Sequence, residues 1–367
     1  MRWIFIVMLT ALRIKDQDLL PQSHLGLITV PASVKYSYPS LLEKLLFGSN
    51  YRREWGRPVT MPVFDLKKTN FQIVRMGGGQ QTTSLELVDD KGREWALRSV
   101  DKNVEPPKSF MENTFIQRVI QDHVSGSYPY AGLSVASIAQ AAGVPAGEQC
   151  LYFVPDDSVF GQYRSTMANR VFILVNNQPQ PQKGIMTNEM MEKLKLDEQF
   201  NVDQKEFLKA RLVDWLVADW DRHDDQWRWI QEKTDSGIAF HIVPRDRDQA
   251  FYRSNGLLVK FVGLFFMPHI NKFNKKGRGL KGLSKKTRTL DKEFTRRLKK
   301  EDWETIIKEF QENISDSVIE SAIKKQPPGI FAIRGNDLIE KLKSRRDGLL
   351  KHAMKYYYFL NRQNHSE

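Results

Sequence analysis

The chain has 367 residues, of which 41% are hydrophobic and 27% are charged, and its formal net charge is +12. That length suits one two-lobed domain or two ordinary domains, and the composition is typical of soluble globular proteins. The single cysteine, Cys150, excludes an intramolecular disulfide and a cysteine zinc cluster.

The N-terminal segment, residues 1–55, is predicted to be an extension ahead of the main fold. Residues 1–12 have the charged start and short apolar run of a weak signal peptide, although Arg13 follows at once and no small-x-small cleavage site precedes Asp16. The run is shorter than the roughly 20 apolar residues that span a membrane. We therefore expect the cell envelope or periplasm if this signal is real, and the cytoplasm otherwise.

Strand patterns dominate residues 56–155. The three clearest strands are predicted at residues 71–74, 82–88 and 93–100. The turn after the first strand contains Gly77, Gly78 and Gly79. Because glycine has no side chain, backbone N–H groups in such a turn can approach phosphate oxygens closely. The third strand carries Arg98, with Lys102 four residues later, so a cationic strand follows the glycine turn.

An amphipathic helix is predicted at residues 107–124, where apolar residues recur at helical spacing. Residues 151–154 then have the pattern of a buried strand that runs into Pro155. We expect residues 155–157, which follow this strand, to form the hinge between two lobes. Cys150, at the start of this strand, is expected to be a buried and inert thiol.

Two acidic blocks, at residues 219–229 and 244–251, are the most informative features of the chain. Each places carboxylates at the edge of an apolar run, which packing alone rarely requires. A buried helix is predicted before the first block, and a β-hairpin leads into the second. Asp221 therefore lies just beyond the helix and Asp246 just beyond the hairpin, an arrangement that brings the two carboxylates together.

Phosphoryl transfer has a use for two such carboxylates. One aspartate can accept the proton of the attacking hydroxyl, while an amide and a second aspartate hold Mg²⁺ on the nucleotide phosphates. In this chain Asp221 would be the base and Gln226 the amide ligand. Asp246 would be the metal carboxylate, with Asp248 as the alternative. The carboxylates expected merely to solvate the helix end and the hairpin are Asp219, Asp224 and Asp225.

The two blocks resemble those of atypical kinases, namely HipA-type toxin kinases, type II phosphatidylinositol 4-kinases and secretory-pathway kinases. Residues 246–251, Asp-Arg-Asp-Gln-Ala-Phe, are similar to the Asp-Asn-Gly-Leu-Ala-Phe motif, and residues 221–223, Asp-Arg-His, to the catalytic loop. A closer resemblance, over most of residues 45–360, is to a kinase-like region of bacterial envelope proteins that often lies beside a metallophosphoesterase domain. Gln226 and Arg98 depart from the kinase pattern, which has Asn and Lys there.

This resemblance implies an α+β, two-lobed protein-kinase-like fold that uses ATP and Mg²⁺. The small, β-rich lobe would span residues 56–155, and the mostly helical large lobe residues 156–367. The glycine turn would cover the phosphates, and Arg98, or Lys102 in its place, would bind them.

The resemblance also implies roles for neighbouring side chains. In kinases the helix at this place presents a Glu to the strand cation. In the helix at residues 107–124 the candidates for that place are Gln121 and Asp122, while Glu112 lies too early in the helix. Arg222 would neutralise the base or a bound phosphate. His223 would orient the catalytic loop rather than act as a base.

The positive charge is concentrated in residues 271–300, which contain 13 Lys or Arg and two acidic residues and so carry +11 of the net charge. This basic segment suggests an acidic acceptor, an anionic lipid head group or nucleic acid, with an envelope protein or an anionic membrane surface as a further partner. Scarce aromatic residues argue against single-stranded nucleic acid, and no sequence-specific nucleic-acid binding is expected. The alternative is a solvated, mobile loop. The apolar run at residues 257–270 would dock on a membrane or partner, or be buried.

The C-terminal third is predicted to be helical. Helices are expected at residues 301–314 and 316–325, and a long one from residue 336, with Ser315 and Asn336 as N-caps.

Three other functions remain open. The chain could be a degenerate kinase fold that binds a nucleotide or a partner without turnover. It could be a non-enzymatic module whose basic segment docks on an anionic surface. It could also be a two-metal phosphoester hydrolase, for which the ligands would be Asp219, Asp221, His223, Asp246 and Asp248.

Overall fold

The computed structural model describes most of the chain. The described residues are 26–77, 82–102, 121–235, 237–257 and 273–362. They form an α+β fold, with a β-rich part followed by a mostly helical part, which confirms the predicted class. Among these residues no helix is both long and apolar enough to cross a lipid bilayer.

Residues 26–62, which include much of the predicted extension, are folded onto the rest of the protein. Their elements are strand β1 (Leu27–Val30), helices α1 (Leu41–Phe47) and α2 (Arg52–Gly56), and strand β2 (Val59–Pro62). The two strands pair antiparallel. Trp55 is buried, and its indole N–H donates to the carbonyl of Ser127 over 3.0 Å. This part of the extension therefore contributes to the hydrophobic core.

A five-stranded antiparallel sheet forms the β-rich part. Its strands are β3 (Gln72–Gly77), β4 (Ser84–Val88), β5 (Glu94–Ser99), β6 (Gln149–Val154) and β7 (Arg170–Asn176), in the spatial order β3-β4-β5-β7-β6. The three strands predicted before residue 100 are confirmed. Because side chains alternate along a strand, Trp95 and Leu97 pack into a core on one face, while Arg98 projects from the other.

The strand predicted at residues 151–154 is confirmed as β6, but the hinge predicted at residues 155–157 is wrong. β6 is an edge strand, and the chain returns from it through α4 (Arg164–Met167) to β7, which pairs with both β5 and β6. Helix α3 (Ala131–Ala141) lies before β6 in the chain, so α4 is the helix between β6 and β7. The sheet therefore extends to Asn176, beyond the expected boundary at residue 155, and residues 177–186 lead away from it.

The helical part is built around a buried helix and a hairpin. The elements are α5 (Thr187–Leu196), β8 (Phe200–Val202), α6 (Gln204–Val217), β9 (Trp227–Thr234) and β10 (Gly237–Pro244). The Asp203 side chain caps α6 by accepting from the Glu206 backbone N–H over 2.9 Å. The predicted hairpin of β9 and β10 is confirmed, and Trp227 pairs with Pro244 at its open end. The loops before β9 and after β10 therefore meet.

The basic segment is folded over its described residues, 273–300. Two short helices, α7 (Leu280–Leu283) and α8 (Arg288–Glu293), bury Leu280, Leu283 and Leu290. The alternative of an unstructured loop is therefore wrong for these residues. The apolar run that precedes them lies outside the described residues except for Leu257.

The three predicted C-terminal helices are present within the described residues. They are α9 (Lys300–Asn313), α10 (Asp316–Lys324) and α11 (Asn336–Arg362). Ser315 caps α10 by accepting from the Val318 backbone N–H over 3.3 Å. The predicted cap at Asn336 is wrong, because the helical turn Phe331–Gly335 runs directly into α11 and gives Asn336 helical dihedral angles.

Candidate functional site

A cleft runs beneath the inner face of the five-stranded sheet. The sheet contributes Arg98, Ile173 and Val175, and Pro129, Ala131 and Gly132 at the start of α3 form part of the opposite wall. The loop after β10 completes this wall with Asp246, Arg247 and Asp248. Arg98 on the sheet and Lys102 just beyond the end of β5 therefore face carboxylates from the loop.

Arg98 and Asp246 are paired across the cleft. The guanidinium NH1 lies 2.7 Å from Oδ2 of Asp246. Burial raises the pKa of the Asp246 carboxyl, but the charges of Arg98 and Lys102 outweigh burial and hold the pKa below its usual value. Asp246 also has a left-handed backbone (φ 53°), a strained conformation for a residue with a side chain and one that often occurs at functional sites.

Lys102 and Asp248 form a second pair beside the first. The ammonium of Lys102 contacts the carboxylate of Asp248, and the Lys102 side chain is only 8% exposed. Burial and the neighbouring Asp246 charge raise the pKa of Asp248, against the opposing effect of Lys102. The sequence left open whether Arg98 or Lys102 binds phosphate and whether Asp246 or Asp248 binds metal. All four of these side chains lie in the cleft.

A buried hub at Asp214, which the sequence patterns did not single out, joins the loops that carry the site. Asp214 lies on α6 with no exposed surface, and its carboxylate accepts from three guanidinium groups. The distances are 2.7 Å to NH1 of Arg211, 3.1 Å to Nε of Arg222 and 2.8 Å to Nε of Arg247. Burial raises the pKa of Asp214, but the three arginines lower it to about 2. The sequence signal that could have identified Asp214 is the presence of a carboxylate inside the apolar run of a predicted helix.

Asp219 is buried, so the expectation that it solvates the helix end is wrong. Its carboxylate accepts from NH2 of Arg222 (3.2 Å) and from the backbone N–H of Asp221 (3.2 Å). Burial raises its pKa to about 7, although Arg222 opposes the shift and the charges of Asp214 and Asp248 reinforce it. Asp224 and Asp225 are exposed as expected.

Arg222 and Gln226 stabilise the loop from inside. Arg222 is fully buried, directed at Asp214 and Asp219, and it also donates to the carbonyl of Arg245. The amide oxygen of Gln226 accepts from NH1 of Arg222 (3.2 Å) and from the backbone N–H of His223 (3.3 Å). Gln226 would therefore bind a metal only after giving up these contacts.

Asp221 and His223 lie nearer to solvent. The Asp221 side chain is 29% exposed, and its carboxylate contacts the ammonium of Lys286 in the basic segment. The His223 side chain is 38% exposed, and its Nδ1 lies 3.8 Å from Oδ2 of Asp225.

Of the remaining predicted site residues, one lies at the edge of the sheet and the others lie outside the described part of the chain. Gly77 ends β3 opposite Ser84, where a Cβ would come within 2.6 Å of Oε1 of Glu86. The residues outside the described part are Gly78, Gly79 and Glu112.

The two described candidates for the helix partner of the strand cation have other contacts. Gln121 donates to the carbonyl of Lys102 over 2.8 Å. Asp122 forms two hydrogen bonds of 2.8 Å with NH2 of Arg52. The observed partner of Arg98 is instead Asp246. The helix at residues 107–124 is described only from residue 121.

No family model and no curated protein match this chain. Among solved structures, the Helicobacter pylori proinflammatory kinase CtkA is 12% identical with a TM-score of 0.40, covering 79% of this chain and 95% of that one. The Rio2 kinase complex with ADP/Mg²⁺ and phosphoaspartate from Chaetomium thermophilum is 10% identical (TM-score 0.28; 76% and 70% covered). The golgi casein kinase is 12% identical (TM-score 0.31; 93% and 87% covered). Because all three TM-scores lie below 0.5, the function proposed below rests on the cleft itself.

Proposed function

We propose that this chain is a kinase-like phosphotransferase that uses ATP and Mg²⁺. The observation that carries the proposal is the double ion pair across the cleft, Arg98 with Asp246 and Lys102 with Asp248. One cation on the sheet, a second just beyond the end of β5 and two carboxylates after a hairpin are the charges that a magnesium–polyphosphate group requires.

A magnesium nucleotide would bind the charged side chains on both walls of the cleft at the same time. Its phosphate oxygens would accept hydrogen bonds from Arg98 and Lys102. Mg²⁺, which prefers oxygen ligands, would bind the carboxylates of Asp246 and Asp248. Each protein ion pair would be exchanged for contacts with the ligand, so no buried charge would be left without a partner.

The acceptor hydroxyl would be deprotonated by Asp221. The support is the Asp214 hub, since Arg222 follows Asp221 and Arg247 follows Asp246, and both guanidinium groups bind the one Asp214 carboxylate. Proximity and orientation dominate phosphoryl transfer, and this hub restrains the two loops relative to each other.

The acceptor would be acidic or anionic. The basic segment presents its charge on a folded surface and reaches Asp221 through Lys286. It is also anchored to the hub, because Nε of Arg211 lies 2.8 Å from Oδ1 of Asp291. An acidic protein segment, including one of an envelope protein, or an anionic membrane surface would be attracted there.

Thermal unfolding with and without ATP and Mg²⁺ tests the nucleotide site. A ligand that binds only the folded state raises the free energy of unfolding by about 2.7 kcal/mol at one hundred times Kd. We expect a Mg²⁺-dependent rise in Tm for the wild type, which Asp246→Asn removes. The matched control is Asp225→Asn. Asp225 belongs to the first of the two acidic blocks, but its side chain is exposed. No rise with ATP or GTP in the wild type would refute the proposal.

A nucleotide-binding module without turnover is the second candidate. It is favoured by Gln226, whose amide oxygen is already used within the loop. Single-turnover transfer of the γ-phosphate separates the two candidates, because a degenerate site would show the rise in Tm without any transfer.

The two-metal hydrolase is disfavoured. Asp219 is directed at Arg222 and Asp221 at Lys286. Among the described residues, no three of the proposed hydrolase ligands come close enough together to hold a metal ion.

A further inference from the structure

A second group of metal-ligating side chains lies at the opposite end of α6 from Asp221. Asp203 and Glu206 begin this helix and His241 lies on β10, and their ligand atoms are all within 4.8 Å of one another. The two elements are joined directly, because the backbone N–H of Asp203 donates to the carbonyl of Phe240 over 3.1 Å. The positions of the three side chains are therefore set by regular secondary structure.

The imidazole of His241 lies between two carboxylates and is hydrogen-bonded to one of them, Glu206. Its Nδ1 lies 3.0 Å from Oε2 of Glu206, and its Nε2 lies 3.3 Å from Oε2 of Glu232 on β9. In metal sites, a histidine bound through one ring nitrogen usually directs its other N–H to a carboxylate, which orients the ring. Among the described residues Nε2 of His241 has no hydrogen-bond partner, and Glu232 is the carboxylate near enough to accept from it after a small adjustment. Nδ1 points toward Glu206.

The charge around this imidazole is unbalanced. Within the described part of the chain, no Lys or Arg forms an ion pair with Asp203, Glu206 or Glu232, although the protein carries a net charge of +12. Even a protonated His241 would neutralise only one of the three carboxylates. A divalent cation would supply the missing positive charge.

The group is also open to solvent. Glu206, Glu232 and His241 line a surface pocket, together with Gln180 and Gln182. A metal ion therefore has a path of entry, and water can complete its coordination.

We propose that Asp203, Glu206 and Nδ1 of His241 bind a divalent transition-metal ion, with Zn²⁺ as the best match. One imidazole and two carboxylates suit Zn²⁺, whereas Mg²⁺ and Ca²⁺ prefer oxygen ligands throughout. The bound ion would join the start of α6 to β10. This site is separate from the cleft at Asp246 and does not depend on the function proposed for the cleft.

Calorimetric titration of untagged, chelator-treated protein with Zn²⁺ tests the site. We expect one equivalent to bind in the presence of millimolar Mg²⁺ and to raise Tm. His241→Gln should abolish this binding, and Glu232→Gln should weaken it roughly 10-fold to 100-fold, as for other residues that orient a metal-bound histidine. His352→Gln, a histidine on α11, is the matched control and should bind as the wild type does.

A variant that keeps the fold intact is needed to show that a loss of Zn²⁺ binding is not caused by unfolding. Asn is as good an N-cap as Asp, so Asp203→Asn should keep α6 capped while it weakens Zn²⁺ binding. The proposal is overturned if the wild type binds no Zn²⁺, if Mg²⁺ competes it away, or if His241→Gln and His352→Gln bind equally.

Discussion

The ammonium of Lys286 contacts the carboxylate of Asp221, so the basic segment meets the loop after α6 at the proposed base. Lys286 also lies 5.9 Å from the ring centroid of Trp220. Both partners of the ion pair are partly exposed, and such pairs contribute at most about 1 kcal/mol. A carboxylate or phosphate on an acceptor can therefore compete for Lys286 and release Asp221.

Lys286→Gln should impair the use of acidic acceptors. We expect KM for an acidic acceptor peptide to rise roughly fivefold, in line with the loss of about 1 kcal/mol, while kcat on a neutral acceptor does not fall. Lys292→Gln, an exposed residue of the same segment, serves as control. Equal effects of the two substitutions would show that general charge, rather than the contact with Asp221, selects the acceptor.

Asp221→Asn should remove turnover without removing nucleotide binding. Loss of a general base lowers kcat by roughly 10²-fold to 10⁴-fold, whereas the cleft residues that would hold the nucleotide are unchanged. Phosphate transfer and the ATP-induced rise in Tm, measured on the same preparation, give the two readouts. Wild-type turnover in this variant would exclude Asp221 as the base.

ATP and Mg²⁺ should bind cooperatively. Asp246 and Asp248 are paired with cations in the free protein, so Mg²⁺ alone must break those pairs, and phosphate alone must leave the carboxylates unpaired. We expect the rise in Tm with both ligands to exceed the sum of the separate rises. In Lys102→Met the excess should shrink, because one pair is already broken. If the separate rises in Tm simply add in the wild type, the ligands do not replace the protein's own ion pairs in the way proposed.

Asp214→Asn should be strongly destabilising. It leaves three buried guanidinium groups around a neutral amide, and loss of one partner of a buried ion pair typically costs about 3–5 kcal/mol. Urea unfolding at neutral pH measures the change. Asp225→Asn, with an exposed side chain, should change the free energy of unfolding by less than about 0.5 kcal/mol. Similar values for both variants would show that the hub does not stabilise the fold.

The stability of the protein should rise as pH falls from about 8 to 5, through Asp219. Its folded pKa is raised to about 7 and exceeds the usual value for the unfolded chain, so folding takes up a proton in this range. The resulting stability is lost as pH rises through 7. Urea unfolding across this range should show the slope in the wild type and a weaker slope in Asp219→Asn. Identical slopes would mean that Asp219 titrates as in the unfolded chain.

Asp214 has the opposite effect at low pH. Its folded pKa is lowered to about 2, so the stability that it contributes is present above the unfolded pKa and is lost as pH falls toward 2. Wild-type stability should therefore decline again below about pH 4. The comparison of wild type with Asp214→Asn in that range isolates this contribution.

The elements with strong local signals were predictable. Alternation and turn residues indicated the strands before residue 100 and the hairpin of β9 and β10, and helical spacing indicated α6. Asp246 was singled out by its place after the hairpin, and the structure puts it opposite Arg98. The hinge was not predictable in this way, because an edge strand and an interior strand have similar patterns when both are short and apolar.

Local sequence patterns were enough to predict the order and type of most elements, the concentration of positive charge in one segment, and the two acidic blocks after a helix and a hairpin. Which charges are partners became visible only in the folded protein. Asp214, Asp219 and Asp221 lie within eight residues of chain, yet one binds three arginines, one is buried against Arg222 and one faces Lys286. The partner and the burial of a charged side chain depend on segments that are distant in sequence, and local patterns carry no information about those distances.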